Sequence, residues 1–285
     1  MKKLASLALT LMLVLSLCAC GGRETPEPDP TAEPTEELHI YTAEEGTLIR
    51  EVWYNPNGLK FNTVIYEYDG SGDVIKELTF GINNAPVSYK EYTRDPDGRI
   101  STMTSYVAED AENYSEEYRV LYEYGETGLK LKETSKVGET VASVNDYEYE
   151  GEKLVREKHY EGASELIAEY AYEYDAAGAM ISCTRRDYME GGSTRDAYTY
   201  DAEGRLLGKI SYDESGSVIS RTEYTYDSMG NETKCSVYTS EGELVSSTKN
   251  EYSYDEPGNI IKCVRTQTDG AQGTTIEYIW EYSKG

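Results

Sequence analysis

One pattern, Tyr-x-Tyr-Asp-x-x-Gly, recurs at near-constant spacing from Leu38 onward and leaves few folds open to the chain. Clear copies begin at Tyr66, Tyr172, Tyr198, Tyr224 and Tyr252. Worn copies begin at Tyr92, where Arg94 replaces the second Tyr, and at Tyr122 and Tyr147, where Gly125 and Glu150 replace the Asp. Successive first tyrosines lie 26, 30, 25, 25, 26, 26 and 28 residues apart. A last copy is read at Trp280-Glu-Tyr282. Weaker turn signals, Tyr54-Asn-Pro-Asn-Gly58, Tyr160-Glu-Gly162, Tyr212-Asp-Glu-Ser-Gly216 and Tyr238-Thr-Ser-Glu-Gly242, fall between the strong ones. Each period therefore holds two turns and two strands.

The parts of the motif have readable chemistry. Side chains alternate along a strand, so Tyr-x-Tyr places both rings on one face and turns the intervening Glu, Thr or Ser to water. Asp at the turn start accepts from backbone N–H groups two residues on, and the Gly three residues after it supplies the left-handed conformation of a type I turn with a bulge. The expected fold class is all-β: an elongated, curved or coiled antiparallel sheet built from tandem β-hairpin repeats of about 26 residues. About sixteen to eighteen strands follow, and an open sheet of more than about ten curls or splits. No window after the N-terminal region holds a helical period.

Composition narrows the partners. The 285 residues carry 53 acids against 27 bases, a net charge of −26, which argues against nucleic acid and against electrostatic docking on anionic lipid. There are 28 Tyr but only 2 Phe and 2 Trp, so phenols do the work of a conventional core and each needs a partner or water.

The repeat resembles the YD-repeat (Rhs-type) family over nearly all of Leu38 to Gly285. The resemblance rests on Tyr-x-Tyr-Asp-x-x-Gly followed by aliphatics, as at Leu206-Leu207 and Ile260-Ile261. It implies a spiralling antiparallel sheet in bacterial surface or secreted proteins, which in large members encloses a toxin. This chain is read as far too short to close such a shell and as lacking a toxin domain, so toxin delivery is not carried over. Some MORN-like repeats share the Tyr-rich hairpin pattern; choline-binding repeats need more Trp.

Residues 1–19 read as a lipoprotein signal peptide. Lys2 and Lys3 form the positive start, and Leu4 to Leu17 is an apolar run too short for a membrane span. Leu17-Cys18-Ala19-Cys20 resembles the bacterial lipobox, which implies cleavage after Ala19 and diacylglycerol on the Cys20 thiol. Residues 20–37 hold that Cys and a Pro/Glu-rich spacer without apolar periodicity. Residues 38–285 form the repeat domain. The expected location is the extracytoplasmic face of a cell membrane, anchored by lipid.

Three cysteines, Cys183, Cys235 and Cys263, each lie eleven residues after the first Tyr of their repeat. Equivalent positions two strands apart are about 9.5 Å apart, beyond disulfide reach. One coil per repeat halves that distance and brings Cys235 and Cys263 within it. The turn aspartates Asp69, Asp175, Asp201, Asp227 and Asp255 read as turn caps ahead of a calcium ladder, whose converging carboxylates the motif lacks. With only His39 and His159 and no nucleophile motif, the chain reads as a non-enzyme with no cofactor, no metal and no catalytic residue.

The expected function is a surface-tethered binding or adhesion module for a glycan, a cell-wall polymer or another extended polymer. Tyr provides rigid amphipathic contact at low entropic cost. Tyr160, Tyr188, Tyr212 and Tyr238, next to Gly-containing turns, are the candidate ligand-binding rings. The alternative is a passive structural or protein-scaffolding envelope protein, with a surface protein as partner and all rings spent on the fold.

Overall fold

The computed structural model describes residues 47–254, 260–267 and 272–281. The stretches read as signal peptide and spacer, with Cys20, lie outside these residues, as do Asp255 and Tyr282. The chain is a meander of antiparallel strands. The first six are β1 (Thr47–Tyr54), β2 (Lys60–Tyr68), β3 (Val74–Phe80), β4 (Pro86–Arg94), β5 (Ile100–Ala108) and β6 (Tyr114–Tyr124). They continue as β7 (Lys130–Val137), β8 (Thr140–Glu150), β9 (Lys153–Glu161), β10 (Glu165–Tyr174), β11 (Met180–Asp187) and β12 (Ser193–Tyr200). The last are β13 (Leu206–Tyr212), β14 (Val218–Tyr226), β15 (Glu232–Thr239), β16 (Leu244–Tyr254), β17 (Ile260–Gln267) and β18 (Gln272–Glu281).

Each strand pairs with its sequence neighbours, and β1 pairs with both β2 and β18, so the 18-stranded sheet closes into a barrel. The all-β hairpin array is as expected; its closure was not legible. Closure removes both sheet edges, which otherwise invite aggregation. The bending is written into the turns. The ladder slips by one residue ahead of the second aromatic of each motif, as at Glu67/Tyr68, Glu173/Tyr174 and Thr225/Tyr226. It slips again at the opposite ends, as at Trp53/Tyr54, Ser211/Tyr212 and Val237/Tyr238. Such bulges add local twist and bend, and repeated at both ends they coil the sheet until it meets itself.

All motif turns lie at one rim and all weaker turns at the other. In the described clear copies the Asp carboxylate, of Asp69, Asp175, Asp201 or Asp227, caps two backbone N–H groups. Asp201 Oδ1, for example, accepts from Glu203 N at 3.0 Å and Arg205 N at 2.8 Å. Gly204, at φ +81°, supplies the left-handed residue.

Among the described residues, buried apolar side chains are few and form no single cluster. Buried apolar residues, among them Val52, Val120, Val144, Ala168 and Ile276, are scattered over both faces. Each strand's ladder partners are its two neighbours alone, and at this strand number a barrel encloses water. Stability therefore comes from ladders and cross-strand pairs, each pair contributing about 0.2–1 kcal/mol.

Candidate functional site

One residue from every strand joins a closed belt around the barrel. Each even-numbered strand supplies a tyrosine: Tyr66, Tyr92, Tyr122, Tyr147, Tyr172, Tyr198, Tyr224, Tyr252 and Tyr278. Each tyrosine lies directly opposite a residue of an odd-numbered strand. The register pairs Tyr66 with Glu77, Tyr92 with Met103, Tyr122 with Glu133 and Tyr147 with Glu157. It continues with Tyr172 and Cys183, Tyr198 and Lys209, Tyr224 and Cys235, Tyr252 and Cys263. Tyr278 opposite Glu51 closes the belt across the seam. Tyr278, rather than Trp280 or Tyr282, thus occupies the motif's phase in the last strand, a correction to the sequence reading.

The belt is the concave face: Tyr254, on the same side of β16 as Tyr252, reaches past β15 to donate to Asp227 Oδ2 at the end of β14, and its hydroxyl accepts from Asn231 Nδ2 at 2.7 Å. The residues between paired tyrosines, such as Glu123, Thr199 and Ser253, are exposed on the other face. The belt tyrosines stay half-buried, as a wetted lining requires.

Hydrogen bonds tie the belt together. The Tyr66 hydroxyl donates to Glu51 Oε1 at 3.0 Å, Tyr92 to Glu77 at 2.8 Å and Tyr147 to Glu133 at 2.8 Å. The second tyrosine of five copies staples neighbouring strands. Tyr174 donates to the Leu154 carbonyl at 2.7 Å, Tyr200 to Met180 at 2.8 Å and Tyr226 to Leu206 at 2.8 Å. These carbonyls lie just past the ladder's end; the β11–β12 register, for instance, starts at Ser182. A hydroxyl thus satisfies an acceptor that the ladder leaves open. Arg94, which breaks the motif in sequence, does the same work by donating Nη2 to the Val74 carbonyl at 3.3 Å.

Burial is the largest cause of the raised phenol pKa values on this face, with neighbouring carboxylates adding to it. Tyr68, Tyr122 and Tyr224 are pushed up to about 12, and Tyr66, Tyr92 and Tyr147 further still. An unfolded phenol ionises near 10. The stabilisation is therefore complete below pH about 10 and declines as pH rises toward the folded values. Absorbance at 295 nm should show a distinct group of phenols, those of the belt, still protonated at pH 11 and then ionising together as the far-UV signal collapses. Ionisation of every phenol by pH about 10 in folded protein would contradict the half-buried belt.

The three thiols are free, and they sit two or more strands apart on the same face. The arrangement that brings Cys235 and Cys263 together is absent; β16 separates them. Burial leads the causes that raise all three, Cys183 to about 11. Only the thiolate reacts, so native protein at pH 8 should take up iodoacetamide at least ten-fold more slowly than denaturant-unfolded protein. Equal rates would contradict the placement.

The sequence-selected rings lie elsewhere. Tyr160, Tyr212 and Tyr238 pair with Val144, Arg195 and Arg221 on the convex face, near the rim of weaker turns. All three are half-buried, and the Arg195 guanidinium covers the Tyr212 ring at 4.8 Å. Tyr188, in the β11–β12 loop, is 45% exposed. The four belong to four successive hairpins, β9–β10, β11–β12, β13–β14 and β15–β16. Sequence reading missed a convex cluster in which Tyr89 stacks on Tyr106 at 4.4 Å and meets Tyr114 edge-on at 4.8 Å. Its signal was phase: Tyr89 is an odd number of residues from Tyr92, so it faces away from the belt.

Neither face suits lipid. The concave face carries Glu51, Glu77, Glu133, Glu157 and Lys209 in mid-strand. The convex face carries cross-strand ion pairs such as Lys76–Glu91 at 3.4 Å, Lys132–Asp146 at 3.6 Å and Arg156–Glu169 at 3.8 Å. A spanning barrel needs an outward apolar band about 25 Å tall, and charges at its middle are destabilising. Among the described residues no helix is long and apolar enough to cross a membrane, and no group of three or more His, Cys, Asp or Glu is placed to hold a metal.

The family described as Teneurin YD-shell matches residues 28–279. No curated protein matches. Among solved structures, the chain is similar to the Photorhabdus luminescens Tc holotoxin pore at 15% identity and TM-score 0.36, covering 81% of this chain and 15% of that one. It is also similar to a porin-like protein from Bacteroides vulgatus at 12% identity and TM-score 0.40, covering 83% of this chain and 99% of that one. The chain thus spans about 15% of the toxin chain it matches.

Proposed function

Because the chain belongs to the Teneurin YD-shell family, we propose that it is a lipid-tethered, extracytoplasmic binding module for a glycan or another extended polymer. The observation that carries the reading is the half-exposed aromatic surface that the closed sheet presents along its belt. A fold that needed its rings only for packing would bury them. These rings keep accessible area, and their hydroxyls offer polar contact beside it. Tethering rests on the lipobox at Cys20: Cys20→Ser should move the protein from the membrane fraction to the soluble fraction, and an unchanged distribution would remove the anchor.

A scaffolding role is the second reading. The stapling hydroxyls of Tyr174, Tyr200 and Tyr226 favour it, because those rings are engaged within the fold. The full chain in detergent, applied to a glycan array and to purified cell-wall polymers, separates the two. A saturable signal that withstands salt supports the binding module. A blank on folded protein rejects it and directs the search to protein partners by crosslinking on cells.

A further inference from the structure

Among the described residues, the non-glycine positions at positive φ are Asn83 (φ 59°) and Asn84 (φ 57°), side by side in the β3–β4 turn. The Ala85 N–H donates to the Ile82 carbonyl at 3.3 Å and the Gly81 N–H to the Ala85 carbonyl at 2.8 Å, closing a tight turn with both central residues left-handed. Glycine is favoured at such positions, and elsewhere this chain uses it there, as at Gly58, Gly72 and Gly216. Two asparagines here keep strain that glycine would relieve. Strain of this kind gathers where side chains serve a ligand.

The same turn borders an independent feature, a cavity of about 580 Å³ between it and the Asn55–Gly58 turn. Exposed Leu59, Phe61 and Ile82 form its apolar walls, with Phe61 braced edge-on by Trp53 at 6.5 Å. Asn83 and Asn84 supply its amides, and Lys60 Nζ donates to Asn84 Oδ1 at 2.7 Å. No carboxylate lines it, although the chain carries −26 and the adjacent β5–β6 turn of that rim bears Glu109 and Asp110.

Apolar walls edged by amides and by the amide-bound Lys60 ammonium match a pyranose, whose C–H faces are apolar and whose hydroxyls both donate and accept. We propose that this cleft is a binding site for an uncharged sugar unit of a glycan chain. The proposal rests on the glycan-binding reading above and gives it a location.

The test is calorimetric titration of the full chain in detergent with cellohexaose and with N-acetylchitohexaose. Hyaluronan serves as the acidic comparison. The N83G/N84G double variant keeps the turn, so its melting temperature should be unchanged or higher. Its affinity for the uncharged hexasaccharide that the wild type binds should fall at least ten-fold, and I82S should weaken binding likewise. Wild-type binding that survives in both variants overturns the cleft while leaving glycan binding intact. Stronger binding of hyaluronan overturns the uncharged chemistry. Absence of binding by the wild type to either uncharged hexasaccharide overturns the site, and a blank array as well overturns the glycan reading.

Discussion

Ile276→Pro should open the barrel. Ile276 is 7% exposed and lies in β18, opposite Cys263 on one side and Trp53 on the other. Proline removes a backbone donor from a strand paired on both edges, where its ring has no place. Lost burial of the side chain contributes about 1.5–3 kcal/mol, and the broken hydrogen bond with its stranded acceptor about 1–3 more. The combined loss, at least about 2.5 kcal/mol, corresponds to a fall of at least roughly 5 °C in melting temperature for a chain this size. Opening also exposes the edges of β1 and β17, so light scattering should rise before the far-UV signal is lost. Ile276→Val keeps the ladder and should cost about 1 kcal/mol. A proline variant that melts within 2 °C of wild type would mean that the seam adds nothing to cooperativity.

The second large effect belongs to the belt. Tyr66 packs between Glu77, its register partner, and Glu51, which accepts its hydroxyl. Tyr66→Ala removes the ring and leaves the Glu51 carboxylate without that donor. Full burial would set the loss at about 3–5 kcal/mol; for a half-buried ring about 2–3 kcal/mol is expected. Tyr66→Phe keeps the ring and loses only the hydrogen bond, about 1 kcal/mol. Urea unfolding monitored by circular dichroism separates the two. Equal tolerance of alanine and phenylalanine would show that the ring adds no packing, and equal loss would show that the hydroxyl alone matters.

Hairpins, turn chemistry and the shared Tyr face were legible because each rests on a local rule: alternation for Tyr-x-Tyr, side-chain capping for Asp, positive φ for Gly. The phase of Cys183, Cys235 and Cys263 was legible for the same reason. Closure was not, since it depends on bulges at both ends of the strands summing over the whole sheet, and no single repeat reveals that sum. Arg94 looked like decay of the motif; a long donor reaching the Val74 carbonyl is enough to replace a phenol. The turn tyrosines were chosen for their neighbours in sequence, without regard to face. Parity alone places Tyr160, Tyr212 and Tyr238 opposite the belt and marks Tyr89 as outward. The Asn83–Asn84 turn escaped notice because its φ values, rather than its residue types, set it apart.

Closure of the sheet by β1 and β18 is tested most directly by a crosslink between them. Val52 and Glu277 lie opposite each other across the seam. Directly opposed residues are about 4.5–5.5 Å apart at Cα, within reach of a disulfide. With Cys183, Cys235 and Cys263 replaced by serine, the V52C/E277C variant should form an intramolecular disulfide in high yield under mild oxidation. It should run as a compact monomer on non-reducing gels. An open curved sheet would keep its first and last strands apart, so reduced monomer or intermolecular dimer alone would contradict the closed barrel.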